Sequence, residues 1–353
     1  MRIRFSLVLL VCLPLGLIGC DSSGLDETDP DPSARAVYVA NQGNFGDGNG
    51  SVSVYDPTDG TVDPAAISSL ASIVQSLALD SGDLFVVANT GGRVDVFTTP
   101  GLSQTAQLTG FTGPRYVATS GDRAYVTDQP PFGSSRPSQV RVIDRSSDTP
   151  VVTDSIAVSG TADGITAAGD RVYAAIGAFG SSTRVAAINA TDNSLIDEID
   201  VGCASRYVVA DSDDEVFVLC ADAPEAVVLD GTTGAEQSRI ALPDTAETLF
   251  SIGQPASYSA PAQELYVTTD TGIARINTAG NVLDTFLTAG TSVAPTAVAY
   301  DAGREALYVG RTPPPPAGFT QQGTITIHDR TGTATDTVQV GVAPAYIALQ
   351  SGE

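Results

Sequence analysis

The sequence predicts an all-β fold, a seven-bladed β-propeller whose ring is closed by a C-terminal strand completing the first blade. Three observations carry this. Short strands recur along the chain at a period in the forties. No long helical periodicity follows residue 20, Trp is absent and Met occurs only at position 1, while Gly, Val, Thr, Ala and Ser are abundant. The first blade lacks one strand, and the last residues of the chain supply it.

The N-terminus reads as an address. Arg2 and Arg4 precede an apolar run from Phe5 to Ile18, which ends in Leu17-Ile18-Gly19-Cys20. A charged start, a short apolar segment and small residues at the cut describe a secretory signal over 1–19, too short for a stable spanning helix. Cys at the cut, with Leu-x-Gly before it, resembles the bacterial lipobox. That resemblance implies cleavage before Cys20 and its lipidation, so membrane attachment is expected through the lipid anchor alone. Residues 20–35 are the lipidated Cys and an acidic, Pro-containing tether. As a random coil it reaches about 20 Å. Acidic residues directly after the lipidated Cys resemble the export signal of Bacteroidetes-type surface lipoproteins, which implies the outer membrane with the protein facing the exterior. The same Asp in an enteric bacterium would imply inner-membrane retention.

Residues 36–350 hold the repeats. The strand cores Val37-Tyr38, Leu84-Phe85, Ala124-Tyr125, Val172-Tyr173, Val216-Phe217, Leu265-Tyr266 and Leu307-Tyr308 follow one another at 47, 40, 48, 44, 49 and 42 residues. With strands named A to D from the axis outward, these lie on strand B. Strand A is apolar, as in Arg115-Tyr116-Val117-Ala118, and a tight turn such as Ser120-Gly121-Asp122 leads into strand B. Strand C alternates and ends in Asp56, Asp144, Asn189, Asp230, Asn277 or Asp329, with Thr98 in blade two. Asp and Asn suit the start of the C–D turn, because their side chains hydrogen-bond the backbone two residues on. Blade one begins at strand B, and Pro344–Leu349 matches the strand A segment Pro114–Ala118. One C-terminal strand joined to three N-terminal ones leaves no open sheet edge.

These segments carry a family likeness. VYVAN (37–41), LFVVAN (84–89) and GPRYVATSGDRAYVTD (113–128) resemble the YncE-like, YVTN-repeat propellers. The opening NQGNFGDGNGSVSVYD and IVQSLALDSGDLFVVANTGGRVDVF (73–97) are similar to surface propeller lipoproteins of Bacteroidetes. Some of that group bind cobalamin and cap a TonB-dependent receptor, so the resemblance implies a corrinoid ligand and such a receptor as partner.

Alternating strand direction puts the A–B and C–D turns on one face and the B–C and D–A loops on the other. Nearly all length variation falls in the second set, including the B–C loops 41–50, 129–138, 177–183 and 310–323. Variable loops on one face of a rigid scaffold are the usual place for binding. Phe45, Phe132, Phe179 and Phe319 occupy the B–C loops, and Phe111 and Phe250 the D–A loops. Six of the ten Phe residues after Phe5 thus sit on one face, where an apolar contact surface is expected. The alternative for each is that it pins its own loop to the blade. Asn44 and Arg136 join the expected ligand-binding loops. The position before the strand A core should face the channel mouth: Gln75, Arg115, Asp163, Arg206, Ala256, Thr296 and Ala345 in turn. Gln75, Arg115, Asp163 and Arg206 admit two readings, a polar grip on an amide, carboxylate or phosphate, or an internal network lining a water-filled channel.

Charge and missing chemistry narrow the function. Of the charged residues 41 are acidic and 17 basic, every one of the latter Arg, which disfavours nucleic acid and resembles halophile proteins. The only His, His328, takes the strand C position held by Tyr55, Phe97, Ile143, Ile188, Leu229 and Ile276 in the other blades, so it is expected in the core. No acid/base or metal constellation can be assembled, and no catalytic residue, metal or cofactor is expected. Asp211–Glu215 is acidic but sits at an A–B turn without calcium-loop spacing. Cys203 and Cys220 fall near one another on blade five, where Ser205 should lie opposite Cys220, and in an exported protein a disulfide is expected. The expectation is a non-enzymatic surface binding protein that captures a nutrient for a transporter. A scaffold gripping an envelope protein or polysaccharide is the alternative, and a lactonase-like enzyme the least favoured.

Overall fold

The computed structural model describes residues 33–351 apart from 132, 148, 246–252, 270–271, 289–294 and 315–316. The signal segment, Cys20 and most of the tether, together with Phe132 and Phe250, lie outside the described residues.

Seven antiparallel four-stranded sheets make the ring. Blade one pairs Pro344–Ser351, Ala34–Asn41, Ser51–Tyr55 and Val62–Ile67 in that order, so the closing strand is the expected one. Its register sets Val37 opposite Leu349, Tyr38 opposite Ala348 and Val39 opposite Ile347. The other blades are each four consecutive strands, with strand A at Val74–Asp80, Pro114–Ser120, Ile165–Ala168, Ser205–Ala210, Ala256–Ser259 and Pro295–Asp301. The first strand begins at Ala34, whose N–H donates to Asp301 Oδ2 at 2.9 Å, while Arg304 Nε donates to Ala34 O at 3.2 Å. Blade seven therefore latches the start of blade one. No helix among the described residues is long and apolar enough to cross a membrane.

The repeated aromatic of strand B explains how blades adhere. Tyr38, Phe85, Tyr125, Tyr173, Phe217, Tyr266 and Tyr308 are fully buried, each contributing about 2 kcal/mol by burial of its ring. In blades three and four the tyrosine hydroxyl also reaches the next blade. Tyr125 OH donates to Ala190 O at 3.1 Å, and Tyr173 OH to Gly231 O at 2.7 Å, both at C–D turns. Where the residue is Phe85, Arg145 from the neighbouring C–D turn lies over the ring, 5.1 Å from its centroid.

The Asp and Asn residues ending strand C form the turns expected of them. Asp56, Asp144, Asn189, Asp230 and Asp329 each accept the amide two residues on, at 2.7 to 3.0 Å. Asp211 likewise accepts the N–H groups of Asp213 and Glu215, so the acidic A–B turn of blade five is accounted for by turn geometry. His328 is 4% exposed. Its Nδ1 lies 3.1 Å from Gly332 O, which can only accept, so Nδ1 carries the proton and Nε2, 3.0 Å away, accepts from Thr326 Oγ1. Burial holds its pKa below the ordinary 6.5. It is a neutral core residue that closes a turn. Ser205 lies opposite Cys220, and Cys203 and Cys220 form a disulfide.

Candidate ligand-binding site

Strand A is not regular at its upper end, on the side of the B–C loops. The A–B register slips by one residue in five blades, at segments containing Ala345, Gln75, Arg115, Arg206 and Thr296. A bulge inserts a residue and re-aims its side chain, and these are the positions expected at the channel mouth. The slip brings three charges together. Arg115 Nε donates to Asp163 Oδ1 at 2.9 Å, Arg206 Nε lies 3.5 Å from Asp163 Oδ2, and Arg115 Nη1 donates to Gln75 Oε1 at 2.7 Å. Asp163 and Gln75 are each 1% exposed. Burial works against the Arg115 charge, but Asp163 and Tyr116 offset it and its pKa lies above the ordinary arginine value. The internal network weighed from the sequence is therefore real, and it also has an outer side.

That outer side is a cavity of about 270 Å³ lined by Gln42, Asn44, Phe45, Ile73, Gln75, Arg115 and Phe319. Two expected sets of residues meet there: Asn44, Phe45 and Phe319 from the loops, Gln75 and Arg115 from the mouth. Asp163 and Arg206 reach it only through Arg115. Gln42 and Ile73 were missed because nothing in their pattern separates them from ordinary strand-end residues.

The loop that presents Phe45 is held in place by backbone. Gln42 N–H donates to Ala343 O at 2.7 Å and Gly43 N–H to Val342 O at 2.9 Å, on the blade-seven side. On the blade-two side Gly50 N–H donates to Ser72 O at 2.9 Å and Val74 N–H to Gln42 O at 3.2 Å. Gly43 has φ +79°, and a Cβ there would fall 2.6 Å from Gly50 N, so neither its conformation nor its space admits a side chain. Phe45 projects from this strapped loop at 69% exposure.

The remaining expected residues disperse. Phe179 is 67% exposed on the blade-four loop, in the left-handed region at φ +57°, away from the cavity lining. Arg136 lines a separate crevice of about 300 Å³ with Pro130, Pro131 and Pro137. Phe111 corrects the sequence reading. It is buried among Phe85, Val94, Val117 and Val126 beneath Arg141, so it pins its loop and offers no contact surface.

Beneath the mouth the channel is plugged. Tyr116 packs edge-on against Tyr207 at 5.3 Å between centroids and lies 6.4 Å from Tyr346. Tyr116 OH donates to Gly253 O at 3.1 Å. Burial raises the pKa of all three, that of Tyr116 to about 12, so the plug is neutral. Below it, cavities of about 350 and 400 Å³ share Leu77, Leu79, Gln254, Tyr258 and Tyr346 as lining. Each plug tyrosine follows a mouth position by one residue, a signal the repeat alignment contained.

Residues 35–309 match the family model described as Domain of unknown function (DUF5074). No curated protein sequence matches the chain. Similar solved structures include the Pseudomonas aeruginosa periplasmic gluconolactonase PpgL, at 17% identity and TM-score 0.68 over 90% of this chain and 100% of that one. A functionally unknown protein from Desulfotomaculum acetoxidans aligns at 12% identity and TM-score 0.68, over 91% and 100% of the two chains. Apo AztD from Citrobacter koseri aligns at 14% and 0.58, over 91% and 99%. At these identities the likeness is one of fold.

Proposed function

We propose that this chain, which belongs to the DUF5074 family, is a non-enzymatic binding protein whose working face carries the B–C loops. The observation that supports this is the convergence of loop aromatics and buried polar groups on one cavity. In the fuller reading, a lipid on Cys20 holds the protein at the outer membrane facing outward, and it captures a corrinoid such as cobalamin for a TonB-dependent transporter. A corrinoid exceeds a cavity of about 270 Å³, so it would lie across the face with one carboxamide arm inserted beside Gln75 and Arg115. Calorimetry with cyanocobalamin at high salt tests this. Saturable heat at micromolar protein, weakened by Arg115→Ala with Arg206→Ala, is expected. No heat overturns the corrinoid reading, and unchanged affinity in the double variant places the site elsewhere.

A second reading is favoured by Phe179, an exposed aromatic in a left-handed conformation outside the cavity. Backbone strain of this kind gathers at contact and clamp sites, and two projecting aromatics on separate blades suit a broad envelope protein or polysaccharide surface. The gluconolactonase above shares the ring, and hydrolysis of gluconolactone by this chain would overturn the non-enzymatic reading.

A further inference from the structure

The lining of the upper cavity specifies the charge of what enters it. Gln75 Oε1 accepts from Arg115, which fixes the side-chain amide so that Nε2 faces away from the guanidinium. Nε2 is buried and has no hydrogen-bond partner. A buried donor without an acceptor is unfavourable until something brings one. Arg115 uses Nε on Asp163 and Nη1 on Gln75, and its Nη2 has no hydrogen-bond partner among the described residues. Two donors with capacity left over therefore flank the same wall. One of the two donors, Arg115 Nη2, belongs to a cation, and a charge-assisted hydrogen bond favours an anionic acceptor over a neutral one. The rest of the lining includes Phe45, Ile73 and Phe319. At about 270 Å³ the space equals roughly nine waters.

We infer that this cavity binds a small carboxylate carried on a flat apolar body. Its oxygens accept from Gln75 Nε2 and Arg115 Nη2, completing both donors. Its body packs against Phe45, Ile73 and Phe319. This rests on the loop-bearing face being the binding face, and not on the ligand being a corrinoid, whose carboxamide arms would offer the same clamp a neutral oxygen.

The test is calorimetric titration of the full chain with 3-phenylpropionate and, separately, 3-phenylpropionamide, each at low and high salt. The acid is expected to saturate and to bind about tenfold or more tighter than the amide, with the margin shrinking as salt rises. Gln75→Leu and Phe45→Ala should each weaken the acid about fivefold or more. Phe45 is exposed, so its variant reports binding even if the buried Gln75→Leu fails to fold. Equal affinity for acid and amide overturns the inference, as does acid binding indifferent to Phe45→Ala, or no acid binding up to roughly 10 mM. Cyanocobalamin titrated into the same samples separates the two failures. Heat from cobalamin without acid binding sinks only the carboxylate, and silence from both sinks the cavity as a site.

Discussion

On the face of the A–B and C–D turns, carboxylates close loops. Asp144, Asp230 and Asp329 accept hydrogen bonds from Ser146, Thr233 and Thr331, which hold their pKa values below the ordinary carboxylate range. These groups lie at the surface and are locally satisfied. At the opposite rim Asp163 is 1% exposed, holds two arginines from different blades, and is backed by a glutamine whose amide donor lacks a partner. The same repeat builds both rims, so its geometry does not explain the difference. Turn chemistry accounts for Asp144, Asp230 and Asp329, and at the upper rim a polar donor is left over beside exposed aromatics. The turn face also holds buried polar atoms without partners, at Asp211, Arg145 and Asn281, so what sets the upper face apart is the unpaired Gln75 donor in a cavity shared with exposed Phe45.

Removing one acid from each rim should expose that contrast most strongly. Asp163→Ala removes the carboxylate that Arg115 and Arg206 both contact and is expected to cost about 3–5 kcal/mol in denaturant unfolding. Asp230→Ala removes an exposed turn acceptor and should cost several-fold less. Similar losses would mean that Asp163 is no more than another turn residue.

Two phenylalanines of the upper face sharpen the comparison next. Phe111→Ala should destabilise by about 3 kcal/mol, because its ring fills the core between blades two and three. Phe45→Ala should stay within about 0.5 kcal/mol in stability while weakening ligand binding. A stability loss at Phe45 matching that at Phe111 would make it a loop pin.

The smallest effect is in pH. His328 is held neutral, its pKa lowered by burial, so the unfolded chain binds the proton more readily. Its contribution is full above pH 6.5 and is lost as pH falls through the lowered folded value. The turn carboxylates act in the same direction at more acid pH, since their folded values are lowered too. Acid destabilisation should therefore have two stages, and His328→Gln should flatten only the first. A variant with an unchanged profile above pH 5 (about one and a half units below the free imidazole value) would show that His328 does not titrate on unfolding.

The fold was legible because propeller periodicity is a one-dimensional signal. Buried Tyr or Phe on each strand B, Asp or Asn at six of the seven C–D turns and the complementary ends all repeat, and His328 and the cysteine pair could be placed by register. The site was legible only in part. Loop lengths and the residue before strand A pointed to Phe45, Phe319, Gln75 and Arg115. Loop aromatics do not announce whether they turn inward, and so Phe111 was misjudged. The tyrosine plug was available in the alignment, but its meaning depends on how far strands from blades three, five and one converge at the axis, a distance that spacing along the chain does not encode.

The most direct measurement compares cyanocobalamin affinity in the wild-type chain with Arg115→Ala and Phe45→Ala at the upper cavity and Tyr258→Ala in the lower channel. If the upper face does the binding, both upper variants lose about tenfold or more and Tyr258→Ala matches wild type. Loss of affinity in Tyr258→Ala, with the upper variants unchanged, would contradict the account and move the site to the other side of the tyrosine plug.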